Sequence, residues 1–284
     1  MDTRDRSSLP RHASPPTRAA LPRDVGATPP LDPVFHEILE RGLTDLGLAL
    51  DPPALDAIVA HTRLLLAWNE HVNLSGLRTA EQVARGHVLD ALIALPALRA
   101  LGDARPTLLD LGSGGGFPGL PLAVTLPASR AALVDPIGKK AAFLEVAAAA
   151  VSRTLKFGPE LLVLAERAED LADEPDQRES WDIVTARAIG SVAEVAELGL
   201  PLTRVGGNVV AWKSAGEGGQ LTSEVHDAAR LIRAVGGDNA RIVQLSGADA
   251  LGLPGHCLVV IDKIRSTPDG YPRAPGERRR RPLP

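Results

Sequence analysis

The chain is poor in cysteine, in aromatic residues and in long apolar runs. Its one cysteine among 284 residues, Cys257, excludes an intramolecular disulfide framework and fits a reducing compartment. Aromatic residues make up 3% of the chain, which disfavours an aromatic platform for stacking single-stranded bases. No apolar run approaches the roughly 18 residues of a membrane span, and the N-terminus lacks the apolar region of a signal peptide. We therefore expect a cytoplasmic enzyme without a membrane segment.

Composition and periodicity divide the chain into four segments. Residues 1–32 are rich in Pro, Arg, Ser and Ala without apolar periodicity, which predicts a disordered tail. Residues 33–98 carry apolar side chains at helical spacing, which predicts a small helical region. Residues 99–265 alternate short apolar runs with helical patterns and form the predicted main domain, and residues 266–284 form a basic C-terminal tail.

The main domain reads as an α/β fold with seven strands. The predicted strands are residues 107–111, 131–135, 161–165, 182–186, 208–213, 240–245 and 257–264. Helical patterns between most of them predict parallel neighbours, whereas the last two strands are joined by a polar, broken segment too irregular for a crossover helix. We therefore predict a mostly parallel, Rossmann-like sheet with an antiparallel last strand. That order is the one expected of class I S-adenosylmethionine (SAM) methyltransferases.

A glycine-rich loop follows the first predicted strand. Gly114, Gly116 and Gly119 satisfy the dinucleotide fingerprint, which alone is a weak signal. Asp110 precedes them at the strand end, where its charge would repel a pyrophosphate and attract the sulfonium and ammonium groups of SAM. Asp135 ends the second strand and suits the ribose hydroxyls of either cofactor. We predict that Asp110, Gly114 and Asp135 bind SAM, with an NAD-dependent oxidoreductase as the alternative.

Eight ordered motifs resemble the bacterial 16S ribosomal RNA guanine-N7 methyltransferases, also called glucose-inhibited division protein B. They are LAWNEHVNL (66–74), HVLD (87–90), DLGSGGGFPGLP (110–121), DPIGKKAAFL (135–144), RAE (167–169), DIVTARA (182–188), WK (212–213) and YPRAPG (271–276). The resemblance runs from about residue 33 to the C-terminus. Two departures are the Pro- and Arg-rich start and Ala91, where the family often has serine.

The resemblance implies a SAM-dependent transfer of a methyl group to N7 of a guanine in the decoding region of 16S ribosomal RNA. It also implies that a set of five residues forms the SAM pocket: Gly112, Phe117, Ala168, Glu169 and Arg187.

Guanine N7 carries a lone pair and no proton, so alignment of the two reactants is the main requirement and no general base is assigned. Cys257 lies in an apolar strand and reads as a core residue, not as the nucleophile that cytosine C5 methylation needs. His87 and Asp90 share a helix face without a third ligand at a recognisable spacing, so no metal site is predicted.

The formal net charge of -4 means that RNA binding must use a local basic patch. The residues predicted to contact RNA are Lys139, Lys140, Arg187, Lys213, Arg278 and Arg279. The predicted partner is 16S ribosomal RNA or the small ribosomal subunit, and the predicted oligomeric state is a monomer. A methyltransferase acting on another RNA and a catalytically silent RNA-binding scaffold remain open as alternatives.

Overall fold

The computed structural model describes residues 20–102, 104–155 and 157–280. Its strands are β1 (Thr107–Leu111), β2 (Arg130–Val134), β3 (Glu160–Leu164), β4 (Trp181–Arg187), β5 (Thr203–Ser214), β6 (Gly237–Gln244) and β7 (His256–Lys263). They form one sheet in the order β3-β2-β1-β4-β5-β7-β6. Strands β1 to β5 pair in parallel, and β7 is antiparallel to both β5 and β6. The topology confirms the predicted fold class.

The helices lie in the N-terminal region and between the strands. They are α1 (Val34–Asp45), α2 (Pro52–Asn69), α3 (Ala80–Val83), α4 (Asp90–Leu92), α5 (Leu95–Arg99), α6 (Gly119–Thr125), α7 (Gly138–Thr154), α8 (Ala168–Leu171), α9 (Val192–Gly199), α10 (Gln220–Ala234) and α11 (Pro275–Arg280). A wider π-helical turn spans Ala84–Leu89 between α3 and α4. Asp51 caps α2 by accepting a hydrogen bond from the Ala54 N–H at 3.0 Å. None of these helices is both long and apolar enough to span a bilayer.

The two faces of the sheet are covered by different helices. Leu108 and Leu109 are adjacent in β1 and point to opposite faces, as in any strand. The Leu108 face packs against α1, α2, α6 and α7, including the buried side chains of Phe35 and Phe143. The Leu109 face packs against α9 and α10, and Leu231 is buried there. The N-terminal helices therefore share one hydrophobic core with the sheet.

The N-terminal stretch packs against α2 upstream of the boundary predicted at residue 33. The first 19 residues lie outside the described part of the chain. After them, the Trp68 indole donates a hydrogen bond to the Pro22 carbonyl at 2.8 Å, and the Arg63 guanidinium donates to the Pro29 carbonyl at 2.8 Å. The polar, proline-rich composition of residues 1–32 predicted a disordered tail. In the described part of this segment, two backbone carbonyls accept hydrogen bonds from long side chains on α2.

The C-terminal stretch, predicted as a basic tail over 266–284, packs against the main domain in its described part. The Arg178 guanidinium donates to the Tyr271 carbonyl at 3.0 Å. Arg273 forms a two-pronged ion pair with Glu197, with both N···O distances at 2.6 Å. The Glu197 carboxylate is 2% exposed, so this pair replaces its lost hydration. Residues 281–284 lie outside the described range.

Candidate functional site

The glycine-rich loop connects β1 to α6 at the carboxyl edge of the sheet. Gly112, Gly114 and Gly116 have φ angles of +65°, +55° and +84°, which side chains rarely adopt. A Cβ on Gly112 would lie 2.5 Å from the Ile189 side chain, whereas a Cβ on Gly114 would meet nothing closer than 3.8 Å. β1 lies between β2 and β4, so the connections diverge here and leave the crevice in which open α/β sheets bind ligands. Gly114 is buried, and a Cβ there would be in ordinary van der Waals contact with the protein, whereas Gly112 is the exposed glycine of the loop.

Asp110 lies beneath the loop and is fully buried. Its carboxylate accepts hydrogen bonds from the Thr185 hydroxyl at 2.7 Å and from the Gly119 N–H at 3.2 Å. Burial raises the pKa of Asp110 to about 6 despite these hydrogen bonds. The side chain that was predicted to attract the cofactor therefore makes its direct contacts with β4 and with the start of α6.

Asp135 follows β2 on the other side of the loop. Its carboxylate accepts the Gly114 N–H at 3.0 Å and the Ile137 N–H at 2.9 Å, and the Lys140 ammonium lies 3.8 Å away. Each carboxylate oxygen has more than one acceptor position, so these bonds orient Asp135 and leave capacity for a hydroxyl.

Phe117 is stacked between two histidines. Its ring centroid lies 4.4 Å from that of His61 and 4.6 Å from that of His87, with interplanar angles of 27° and 20°. The resemblance implies that Phe117 lines the SAM pocket. Because imidazoles cover both faces of its ring, only an edge of Phe117 is left to contact a cofactor.

Both histidines in this stack are neutral. Burial lowers the pKa of His61 to about 4, and burial together with the Arg187 charge lowers the pKa of His87 to about 3. His61 Nε2 lies 2.7 Å from the Gly115 carbonyl, so this nitrogen carries the proton and donates. The Arg187 guanidinium donates to His87 Nδ1 at 2.8 Å, so the proton of His87 is on Nε2, which lies 2.6 Å from the Ser75 hydroxyl.

Arg187 ends β4 and is held by an acid from the helical region. Its guanidinium donates to the Asp90 carboxylate at 2.8 Å, and Asp90 is 3% exposed. The other Asp90 oxygen lies 2.7 Å from His256 Nδ1, at the start of β7. The next residue, Ala188, has a φ of +58°, which is strained for a residue other than glycine. Three segments that are distant in sequence thus meet at one point of the carboxyl edge.

Ala168 and Glu169 open α8 after β3, at the same edge of the sheet. The Glu169 carboxylate accepts a hydrogen bond from Arg278 at 2.5 Å and lies 3.7 Å from the Arg167 guanidinium. The C-terminal helix α11 therefore reaches a residue that the resemblance assigns to the SAM pocket.

Most of the cations predicted to bind RNA have carboxylate partners. Lys213 donates a hydrogen bond to the Glu224 carboxylate at 2.8 Å. The other three ion pairs, described above, are Lys140 with Asp135, Arg187 with Asp90, and Arg278 with Glu169. Lys139 is exposed in the first turn of α7, and the side chain of Arg279 lies outside the described part of the structure. Ion pairs with acids up to 109 positions away in sequence hold four of these cations, and their contact with RNA stays a prediction.

Sequence reasoning missed His61, Ser75, Thr185 and His256. Thr185 lies within the motif at 182–188 but was assigned no role, and the contacts of the other three join segments that are distant in sequence. In the residues that the structure covers, no group of three or more His, Cys, Asp or Glu side chains could hold a metal ion. Cys257 is buried in β7, and burial raises the pKa of its thiol.

Comparisons with known proteins agree on one family. Residues 54–249 match the family model described as GidB, rRNA small subunit methyltransferase G. A protein of Roseiflexus sp. (strain RS-1) named Ribosomal RNA small subunit methyltransferase G is 39% identical over 237 residues, which cover 84% of this chain and 95% of that protein. A Deinococcus radiodurans protein of the same name is 38% identical over 257 residues, covering 89% and 94%. The chain belongs to the rRNA small subunit methyltransferase G family, which confirms the family predicted from its motifs.

Proposed function

We propose that the protein transfers the methyl group of SAM to N7 of a guanine in 16S ribosomal RNA. The observation that carries the proposal is the glycine loop at the carboxyl edge, where Gly112 is exposed and the Gly114 N–H donates to the Asp135 carboxylate, while Glu169 lies in the first turn of α8 after β3. Carboxylates at this edge of the sheet fit a cofactor with two positive charges and a ribose. Membership of the family supports the same reading.

Each residue at the proposed SAM site has a role that follows from its chemistry. Gly112 and Gly114 would let the backbone approach the cofactor, Asp135 would accept hydrogen bonds from its hydroxyls, and Glu169 would present a second carboxylate. Bound SAM would supply an electrophilic methyl group on a sulfonium, which is a good leaving group. Phe117, fixed between His61 and His87, keeps the loop in place and limits access of water.

No side chain needs to remove a proton from guanine N7. The Arg187–Asp90 ion pair at the end of β4 is accordingly proposed to shape and orient the acceptor side of the site. Lys139 is proposed as the RNA contact because it is the exposed member of the predicted set, whereas Lys140, Lys213 and Arg278 are more engaged within the protein. We also propose that the protein acts as a cytoplasmic monomer on small-subunit RNA.

Gly112→Val tests the cofactor site. A valine there combines a positive φ with a Cβ 2.5 Å from Ile189, so the loop must shift. Overpacking costs about 1–3 kcal/mol of folding stability. Because the loop would leave the conformation proposed to hold SAM, we expect SAM affinity in calorimetry to fall at least about tenfold.

Gly47→Val is the matched control, with a φ of +63° and open space around its Cβ position, in the connection from α1 to α2. It should bind SAM as the wild type does. Wild-type affinity in Gly112→Val would refute the assigned pocket.

A further inference from the structure

The cluster around Arg187 uses nearly all of its polar atoms within the protein. The Arg187 guanidinium donates to Asp90, to the Gly86 carbonyl at 3.3 Å and to His87 Nδ1. His87 Nε2 faces Ser75, and both Asp90 oxygens are taken by Arg187 and His256. These groups hold one another and have little capacity for a ligand.

His256 is the exception. Its Nδ1 is held by Asp90, while its Nε2 has no hydrogen-bond partner among residues 20–102, 104–155 and 157–280. The side chain is 37% exposed, in contrast to 3% for Asp90 and 17% for Arg187. A carboxylate that fixes one imidazole nitrogen also fixes the direction of the other. His256 therefore presents a single, oriented nitrogen to the solvent side of the cluster.

The charges around His256 favour its protonated form. The hydrogen bond that His256 donates to Asp90 raises the pKa of His256, and burial and the Arg187 charge oppose that rise. On the neighbouring strand β5, Ser214 is the register partner of His256, and the charge of the adjacent Lys213 is paired with Glu224. On β6, the residue beside Cys257 is the neutral Gln244. With Asp90 balancing Arg187, a protonated His256 leaves the cluster with one net positive charge.

We propose that His256, oriented by Asp90, donates a hydrogen bond from Nε2 to an oxygen of the RNA substrate beside the reacting guanine. The proposal rests on the proposed function. It places His256 at the carboxyl edge, next to the ends of β4 and β5, where Arg187 and Lys213 lie. A donor of this kind suits the guanine 6-oxygen or a phosphate oxygen and leaves the N7 lone pair free.

Two substitutions separate contact with RNA from support of Asp90. His256→Asn keeps a donor near the Nδ1 position and removes the Nε2 donor, whereas His256→Gln keeps a donor near Nε2 and loses the Nδ1 donor. If His256 contacts RNA, His256→Asn lowers kcat/KM for RNA about tenfold, and His256→Gln retains more activity. If His256 only supports Asp90, the order is reversed, and that result would overturn the proposal.

The assay uses the full-length protein, methyl-labelled SAM and the small-subunit RNA or subunits that the wild type methylates. SAM affinity by calorimetry should stay unchanged in His256→Asn. His226→Gln is the control, since His226 also has an aspartate neighbour but is 88% exposed on α10. The pKa of His256 is raised above its ordinary value of 6.5, and wild-type kcat/KM should fall as pH rises through it. His256→Asn should not show this decrease of kcat/KM with pH.

The salt dependence of kcat/KM distinguishes a contact with a phosphate oxygen from a contact with the guanine 6-oxygen. Loss of a phosphate contact lowers the slope of log kcat/KM against log salt by about 1, whereas loss of a contact with the guanine 6-oxygen leaves the slope unchanged. Wild-type kcat/KM with an unaltered pH profile in His256→Asn would overturn the proposal while leaving the methyltransferase function intact. Failure of the wild type to form 7-methylguanosine would instead defeat the proposed function.

Discussion

At the scale of single residues, Asp110 is the clearest case of a side chain whose type is readable from sequence and whose contacts are not. An acid at the end of β1 was expected near the cofactor. The structure shows its hydrogen-bond partners to be Thr185 and Gly119, 75 and 9 positions away, and the expected closeness to a cofactor stays a prediction. The Asp110 carboxylate lies beneath the glycine loop, and keeping it ionised there carries a desolvation penalty because it is out of contact with water.

This cost makes stability depend on pH. The pKa of Asp110 rises from 3.8 to about 6 in the folded protein, so the folded state binds more protons than the unfolded state between these values. Stability from Asp110 is therefore greatest below about pH 4 and is lost as pH rises through about 6, by roughly 3 kcal/mol.

Asp110→Asn stays neutral and can donate to Thr185 while accepting from Gly119. Urea unfolding at several pH values should show the wild type losing stability relative to Asp110→Asn as pH rises from about 4 to about 7. Parallel pH profiles for the two proteins would contradict this assignment.

At the scale of elements, the stack of His61, Phe117 and His87 joins the helical region to the glycine loop. α2 supplies His61, and the π-helical turn supplies His87. The sequence predicted the helices and the loop separately, because periodicity and glycine content are local signals. It could not predict the stack, since His61 and its Gly115 partner are 54 positions apart.

The stack should make the protein sensitive to acid. The pKa of His61 falls from 6.5 to about 4 on folding, so the unfolded state binds more protons in this window. Stability from the neutral His61 is present above about 6.5 and is lost as pH falls towards about 4, with a sign opposite to that of Asp110.

His61→Gln keeps a donor for the Gly115 carbonyl and cannot ionise. Relative to this variant, the wild type should lose stability when pH falls from about 6.5 to about 4, measured by urea unfolding. His36→Gln, on an exposed residue of α1, should leave the wild-type profile unchanged. An acid-induced loss equal in the wild type and in His61→Gln would show that His61 does not titrate in this way.

At the scale of the whole molecule, the helical region and the sheet share one hydrophobic core, and we expect them to unfold together. Phe35 of α1 and Leu64 of α2 belong to the same buried cluster as Leu108 of β1. A fragment beginning at residue 99 would expose that face of the sheet, so we expect it to lack a cooperative thermal transition and to bind no SAM. A fragment that unfolds cooperatively and binds SAM with wild-type affinity would contradict this expectation.

Features set by residues close together in sequence could be predicted, whereas pairings between residues far apart in sequence could not. The mostly parallel sheet and the antiparallel β7 were predictable, because the polar connection before His256 excludes a crossover helix, whereas the order of the strands in the sheet was not predicted. Family membership was predictable from short motifs around Asp110 and Arg187. The pairing of Arg278 with Glu169 was not, since a basic tail gives no indication of which acid it meets. The family favours a methyltransferase over the oxidoreductase that the glycine loop alone left open.

The central claim is methyl transfer to guanine N7 of 16S ribosomal RNA. The most direct measurement incubates purified protein with methyl-labelled SAM and either naked 16S RNA or small subunits from cells lacking the enzyme, and analyses nuclease digests by mass spectrometry. We expect the wild type to form 7-methylguanosine at one guanine, and Gly112→Val to form much less of it. Label in another base, or no label on either substrate by a protein that binds SAM, would contradict this claim.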